Sequence, residues 1–228
     1  MPNLASTTGD GWAQGNQENN WIAARSHSGH SADNNNTKDS HAVIVESLSG
    51  KGGGETHFCR RAFFYFDTSG ISIAPSEATL KLRGYSGNSS DIIAVRSIAA
   101  NPIVTAGFND LHLSLTALGN SDGSGAGTLA GVSGLTYSSE IATWSTSGYN
   151  DIALNSTALS DMASLDDFKI CIMDYDYDYL DIEPSLGTSV RMGCYWTENS
   201  GTSLDPYIDY TAGVAVATGN SVFFGANF

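Results

Sequence analysis

The densest concentration of side chains able to do chemistry is Asp174-Tyr-Asp176-Tyr-Asp178-Tyr-Leu-Asp181-Ile-Glu183, where five carboxylates fall within ten residues. Charges of one sign this close repel unless a cation or water screens them. Carboxylate oxygens are hard ligands, and the Asp-x-Asp-x-Asp start suggests calcium held by Asp174, Asp176, Asp178, Asp181 and Glu183. The spacing departs from an EF-hand loop, because Tyr179 stands where the turn glycine belongs and Ser185 where the bidentate glutamate belongs. Two other readings stay open. One is a solvated acidic loop; the other is a ladder of Tyr175, Tyr177 and Tyr179 rings, whose apolar faces and polar tips suit stacking on a sugar. Asp176 and Glu183 could hydrolyse a glycosidic bond only if they stood about 5 to 9 Å apart across a cleft, and adjacency in one loop argues poorly for that.

The remaining chemical patterns are weaker. His27 and His30 stand three apart in a polar loop followed by His41, without cysteine or carboxylate partners at ligand spacing, so solvated histidines are expected there rather than a metal site. Gly50-Lys51 lacks the rest of a phosphate loop, since Val45 and Gly52 occupy the places of its first glycine and its Ser or Thr. Gly119-Asn-Ser121-Asp-Gly123 matches the expression for a nucleophile elbow, but loop flanks replace the required strand and helix. Gly125 and Gly127 likewise lack the surroundings of a dinucleotide fingerprint. Cys59, Cys171 and Cys194 form no Cys-x-x-Cys pair and lie in strand-like runs, which predicts buried, reduced thiols.

The elements that would position these groups read as β. Phe58 to Phe66 and Ala78 to Leu82 are apolar, β-rich runs joined by a polar turn segment with Gly70, Pro75 and Ser76. Along the first, Phe58, Arg60, Ala62, Phe64 and Phe66 share one face and Cys59, Arg61, Phe63 and Tyr65 the other. With both faces largely apolar, this is the pattern of a central strand in a two-layer sandwich whose outer face loops partly cover. Asp67-Thr-Ser-Gly70 ends it as a turn, making Asp67 a turn-former. Further strands are expected after Gly11, at His41–Leu48, Asp91–Ile98, up to Leu154, Phe168–Met173, Val190–Trp196 and Pro206–Tyr210. Trp21–Ala24 is a short apolar run ahead of a loop from Arg25 to Ser40, and Asn101 to Gly134 is irregular. One short helix is expected, with Asn155 as N-cap ahead of Ala158, Leu159 and Met162.

Length and composition agree with this layout. The 228 residues, 41% apolar, suffice for one sizeable core, and 25 glycines amid abundant Ser, Thr, Asn and Tyr favour short strands and turns. The expected fold is all-β: an antiparallel, jelly-roll-like β-sandwich with long loops over residues 1–212, followed by an apolar tail over 213–228. A formal net charge of -14 repels nucleic acid and anionic membranes. No apolar run is long enough to span a bilayer, and the amino terminus reads as free of a secretory signal.

Arg61-Ala-Phe63-Phe64-Tyr-Phe66-Asp67-Thr68-Ser69 together with Ser76-Glu-Ala78-Thr79-Leu80-Lys-Leu82 resembles the signature of DNRLRE-type β-sandwich domains, which look like carbohydrate-binding modules. Tyr149-Asn150-Asp151-Ile152 through Asn155, and Trp196 through Tyr210, are similar to later segments of that pattern in the same order. The DNRLRE hexapeptide itself is absent, and Phe64 replaces the usual leucine. The resemblance implies one of two settings: secreted polysaccharide-associated proteins or bacteriophage virions. The tail, with Phe223, Phe224 and Phe228, reads as an assembly anchor, each buried ring contributing roughly 1.5 to 3 kcal/mol. The expected function is a non-enzymatic virion component, attached to capsid or tail proteins, homo-oligomeric (trimeric as a guess from how such assemblies are built) and touching host glycans with its acidic body. The alternative is a carbohydrate-binding module of a secreted or cell-surface polysaccharide system.

Overall fold

A strand with two apolar faces needs cover on both, and the surrounding chain supplies it from two different sources. The computed structural model describes residues 2–50, 53–88, 90–111 and 129–215. Eleven strands run in chain order: β1 (Asn3–Ala5), β2 (Gly11–Gln14), β3 (Ser31–Asp33), β4 (Lys38–Ser49), β5 (Glu55–Asp67), β6 (Glu77–Asn88), β7 (Ile92–Arg96), β8 (Tyr149–Ala153), β9 (Asp167–Asp174), β10 (Ser189–Tyr195) and β11 (Tyr207–Thr211). All the pairings between them are antiparallel. β5 is the hub. It pairs with β4 over Glu55–Arg60, with β9 over Ala62–Asp67 and with β2 over Arg60–Phe63.

The hydrogen-bonded network is continuous, and β6 folds it into two layers. Its first half pairs with β11 and β8, while its end, Gly84 to Gly87, pairs with β10. One layer is therefore β1-β11-β6-β8, and the other carries β3-β2-β5-β4-β10 with β9 and β7 beside β5. The fold is the expected all-β sandwich.

Between the layers lies a first core. Ala78, Leu80, Leu82, Ile152 and Ile208 meet Ala62, Phe64, Phe66, Ile170, Ile172 and Met192 there. Trp196 packs on Phe64 at 5.2 Å between ring centroids, and Tyr137 stacks on Phe168 at 5.0 Å. Helix α2 (Ser156–Ser164) buries Ala158 and Met162 in this core, and its N-cap is Asn155, whose Oδ1 accepts from the Ala158 N–H. That satisfies one of the orphan amides of the first turn, as expected from the sequence.

A second core covers the opposite face of the larger layer. Cys59, Phe63 and Tyr65 of β5 pack there with Val45, Cys171 and Met173. The cover consists of helix α1 (Trp21–Ser26), the 3₁₀ turn Thr105–Asn109 and a π-helical turn, Tyr175–Tyr179. Trp21–Ala24, expected only as an apolar run, is thus the start of a helix. Asn20 caps it by accepting from the Ala23 N–H, and burial of Trp21, Ala24 and Arg25 holds six residues that would not be helical alone. The loop expected over Arg25–Ser40 also gains β3 and the start of β4. Among the described residues, no helix is long and apolar enough to cross a membrane.

Candidate functional site

The acidic segment leaves the end of β9 and turns back at once. Asp174 starts the turn: its carboxylate accepts from the Tyr177 N–H at 2.8 Å and from Ser90 Oγ at 3.0 Å. Burial, aided by the Asp178 and Asp176 charges, outweighs these hydrogen bonds and pushes its carboxyl up to about 7. Four residues on, Asp178 points inward and is completely buried.

Asp178 meets two arginines. Arg61 of β5 grips it with a two-point fork, Nε to Oδ2 at 2.6 Å and Nη2 to Oδ1 at 2.7 Å. Arg61 Nη1 donates to the Phe108 carbonyl at 2.7 Å and Asn109 Oδ1 at 2.8 Å, and Nη2 also donates to the Arg25 carbonyl at 3.1 Å. All five guanidinium N–H groups therefore have acceptors, and the Phe108 ring lies 4.2 Å beneath the charge. Arg25 of α1 places Nε 2.6 Å from the Asp178 carbonyl oxygen and 3.3 Å from Oδ1, with Nη1 3.0 Å from Asp181. Asn109 completes the joint by donating to the carbonyls of Ser26 and His27. Burial works to raise the Asp178 carboxyl, but the Arg61 and Arg25 charges and the Arg61 hydrogen bonds overcome it and hold it below its ordinary value.

Four of the five acidic residues thus have separate employments. Asp174 caps the turn, Asp178 sits between the arginines, Asp181 lies on Arg25, and Glu183 is largely exposed with Oε1 3.7 Å from His57. The structure does not bring Asp174, Asp176, Asp178, Asp181 and Glu183 into one oxygen cage. Among the described residues no group of three or more His, Cys, Asp or Glu side chains is placed to hold a metal ion, His27, His30 and His41 included. Nor does the turn present a free tyrosine ladder. Tyr175 and Tyr179 stack on one another with centroids 5.5 Å apart, Tyr179 is buried, and Tyr175 and Tyr177 pack against the second core.

The other sequence expectations resolve simply. Cys59, Cys171 and Cys194 are free thiols in the interior. Asp67 Oδ1 accepts from the N–H and hydroxyl of Ser69, making the expected turn. Ser121, Gly125 and Gly127 lie outside the described residues, as do Phe223, Phe224 and Phe228. A feature the sequence reading missed is a hollow of about 390 Å³ beside β1 and β11, where Asn3, Tyr149, Ser203, Asp205 and Tyr207 converge. Tyr149 and Tyr207 meet edge to face at 5.2 Å, and the Tyr149 hydroxyl donates to the Ser203 carbonyl at 2.9 Å.

No family model matches the chain, and no curated protein matches it. What fold and geometry define is an antiparallel β-sandwich protein whose sequence-conspicuous acidic turn is pinned from below by two buried arginines.

Proposed function

We propose that the chain is a non-enzymatic structural protein of a bacteriophage virion, attached through its carboxyl-terminal segment to capsid or tail proteins. The observation that carries this reading is the placement of the two terminal strands. β1 and β11 are hydrogen-bonded neighbours, with Asn3 opposite Asp209 and Ala5 opposite Tyr207. Both ends of the described chain therefore leave from one edge of the smaller layer, and Val214 beyond β11 is 85% exposed. Attachment through residues 213–228 leaves the second core's cover, with the acidic turn, on the far side of the sandwich. The spent chemistry of that turn fits a display role, because Asp178 holds structure and has no lone pair to offer a substrate.

The test is light scattering coupled to size-exclusion chromatography on the full chain and on a chain ending at Ala212. The expected outcome is an assembled full chain and a folded, monomeric truncation. Two monomers of equal stability would sink the anchor.

The Tyr149–Tyr207 hollow favours a second reading, a glycan-binding module. It adjoins β1 and β11, so attachment at that edge and sugar binding in that hollow compete for one surface. Selective binding of a purified monomer on a glycan array, lost in Tyr149→Ala, decides for the module.

A further inference from the structure

In a chain with 24 acidic and 10 basic residues, where the cations stand is informative. Arg25 and Arg61 are spent inside the fold, whereas Lys38 and Arg83 come to one outer surface. Alternation along β6 turns Arg83 and Tyr85 outward. Tyr85 meets Tyr195 of β10 edge to face at 5.6 Å between centroids. Lys38, opposite Tyr195 on β4, lays its ammonium 4.2 Å over the Tyr85 ring and 5.7 Å from the Tyr195 ring. On the other flank Arg83 stands opposite Tyr149 of β8. Among the described residues neither Lys38 nor Arg83 has a carboxylate at ion-pair distance. The result is a tyrosine-lined face with two cations that the chain does not itself neutralise.

The far end of β4 carries the complement. Leu48, Ile182 and Leu186 are each 41 to 52% exposed there, although all three are large and apolar. The Gly187 N–H donates to the Ser47 carbonyl at 2.8 Å, which holds the loop bearing Leu186 against the strand. Leu48 pairs with Thr56 of β5, next to Glu55. Glu55 and Glu183 converge on His57 Nε2 at 3.8 and 3.7 Å, and both side chains face solvent. Lys38 opens β4, and Leu48 all but closes its 12 residues. At about 3.3 Å per residue the two patches stand roughly 30 Å apart, too far for one molecule to join its own.

We propose that the face bearing Lys38, Arg83 and Tyr85 docks head to tail on the patch of Leu48, Glu55, Ile182, Glu183 and Leu186 of a second copy of the chain. The tyrosine rings give the exposed Leu and Ile side chains flat apolar cover, and the two cations meet two carboxylates. With a net charge of -14 the copies repel one another in general, so a local pairing of opposite sign decides which surfaces meet. Each patch repels its own kind, which disfavours a twofold pair and leaves a heterologous contact that closes into a ring or runs on as a chain. Patches this small fall well short of the roughly 20–30 residues a side of a standard interface, so the contact is weak and depends on concentration. That agrees with a truncated chain expected to run as a monomer in dilute chromatography. None of residues 213–228 takes part, so the contact goes beyond attachment through the tail: it orders copies that the tail has gathered.

The experiment follows self-association of the full chain by sedimentation velocity over a concentration series. It compares the natural chain, a variant with Lys38→Glu and Arg83→Glu, a variant with Glu55→Lys and Glu183→Lys, and an equal mixture of the two variants. The natural chain is expected to associate less as salt rises from about 0.05 to about 0.5 M. Either variant alone sets like charge against like and is expected to associate at least about tenfold more weakly. The mixture regains the natural affinity, because the intact face of one variant meets the intact patch of the other. If the first variant fails to fold, Lys38→Glu alone, at an exposed position, takes its place in the same mixture. A natural chain that stays monomeric throughout overturns the contact, as does a mixture that associates no better than its parts. Charge variants that keep the natural affinity, beside a chain ending at Ala212 that loses assembly, overturn this contact and leave the tail reading standing.

Discussion

Replacing Asp178 with asparagine removes one charge from the joint beneath the acidic turn while keeping its shape. In the natural chain the carboxylate receives two hydrogen bonds from Arg61 at 2.6 and 2.7 Å and faces Arg25 at 3.3 Å, all with essentially no water contact. Asparagine offers one acceptor to the Arg61 fork and turns an N–H₂ group against the other donor. The buried Arg61 guanidinium is then left without a counter-charge, while Arg25 keeps only Asp181. Removing one partner of a buried ion pair costs about 3–5 kcal/mol, against a total stability of about 5–15 kcal/mol for a typical domain. In a chain of this length that lowers Tm by about 6–20 °C. Urea unfolding followed by tryptophan fluorescence reads it, with the midpoint falling and the slope unchanged. The folded-state carboxyl is held below its unfolded value, so its contribution is full above about pH 4 and is lost as pH falls further through the folded value. The natural chain therefore sheds stability below pH 4 that Asp178→Asn has already lost, and the two curves converge in acid. A loss under about 1 kcal/mol at pH 7, the size expected of an exposed pair, would show that the joint does not hold the fold.

Asp174 carries the opposite sign. Its carboxyl is pushed up to about 7 by burial, so its contribution is full below the unfolded value near 4 and is lost as pH rises through 7. Asp174→Asn keeps the acceptor for the Tyr177 N–H and is expected to match the natural chain at pH 3 but to exceed it at pH 8, by up to about 4 kcal/mol; equal urea midpoints at both pH values would refute this. The three cysteines are buried and free, and burial pushes each thiol up. Ellman's reagent is expected to find no reactive thiol in the native chain and all of them in denaturant, and fast native labelling would contradict their packing.

The layout of the sandwich was largely legible because its signals are local. Alternation along β5 gave both faces of the central strand, and Asn155 marked the start of α2 by the preference of a short polar side chain for the cap. The acidic turn misled for the converse reason. Its spacing reads as a ligand set only while its surroundings are unknown, and the groups that neutralise Asp178 arrive from far away in the chain: Arg61 is 117 positions distant and Arg25 is 153. Arg61 was visible only as part of a sequence pattern, and Arg25 only as the first residue of a loop. A helix as short as α1 has too few turns for a period to show, so what makes it helical is the core it covers.

The path of β6 has a consequence for how the molecule comes apart. Because one strand belongs to both layers, neither can peel away without breaking the ladder of the other, and β6 residues Thr79 to Lys81 are paired on both sides, to β11 and to β8. Hydrogen exchange in this strand therefore reports the opening of the whole molecule, whereas β3, held on one side by β2 alone, opens first. A steady pull on the carboxyl-terminal segment would load β11 and, through it, β6, spreading the force across both layers before any strand slips.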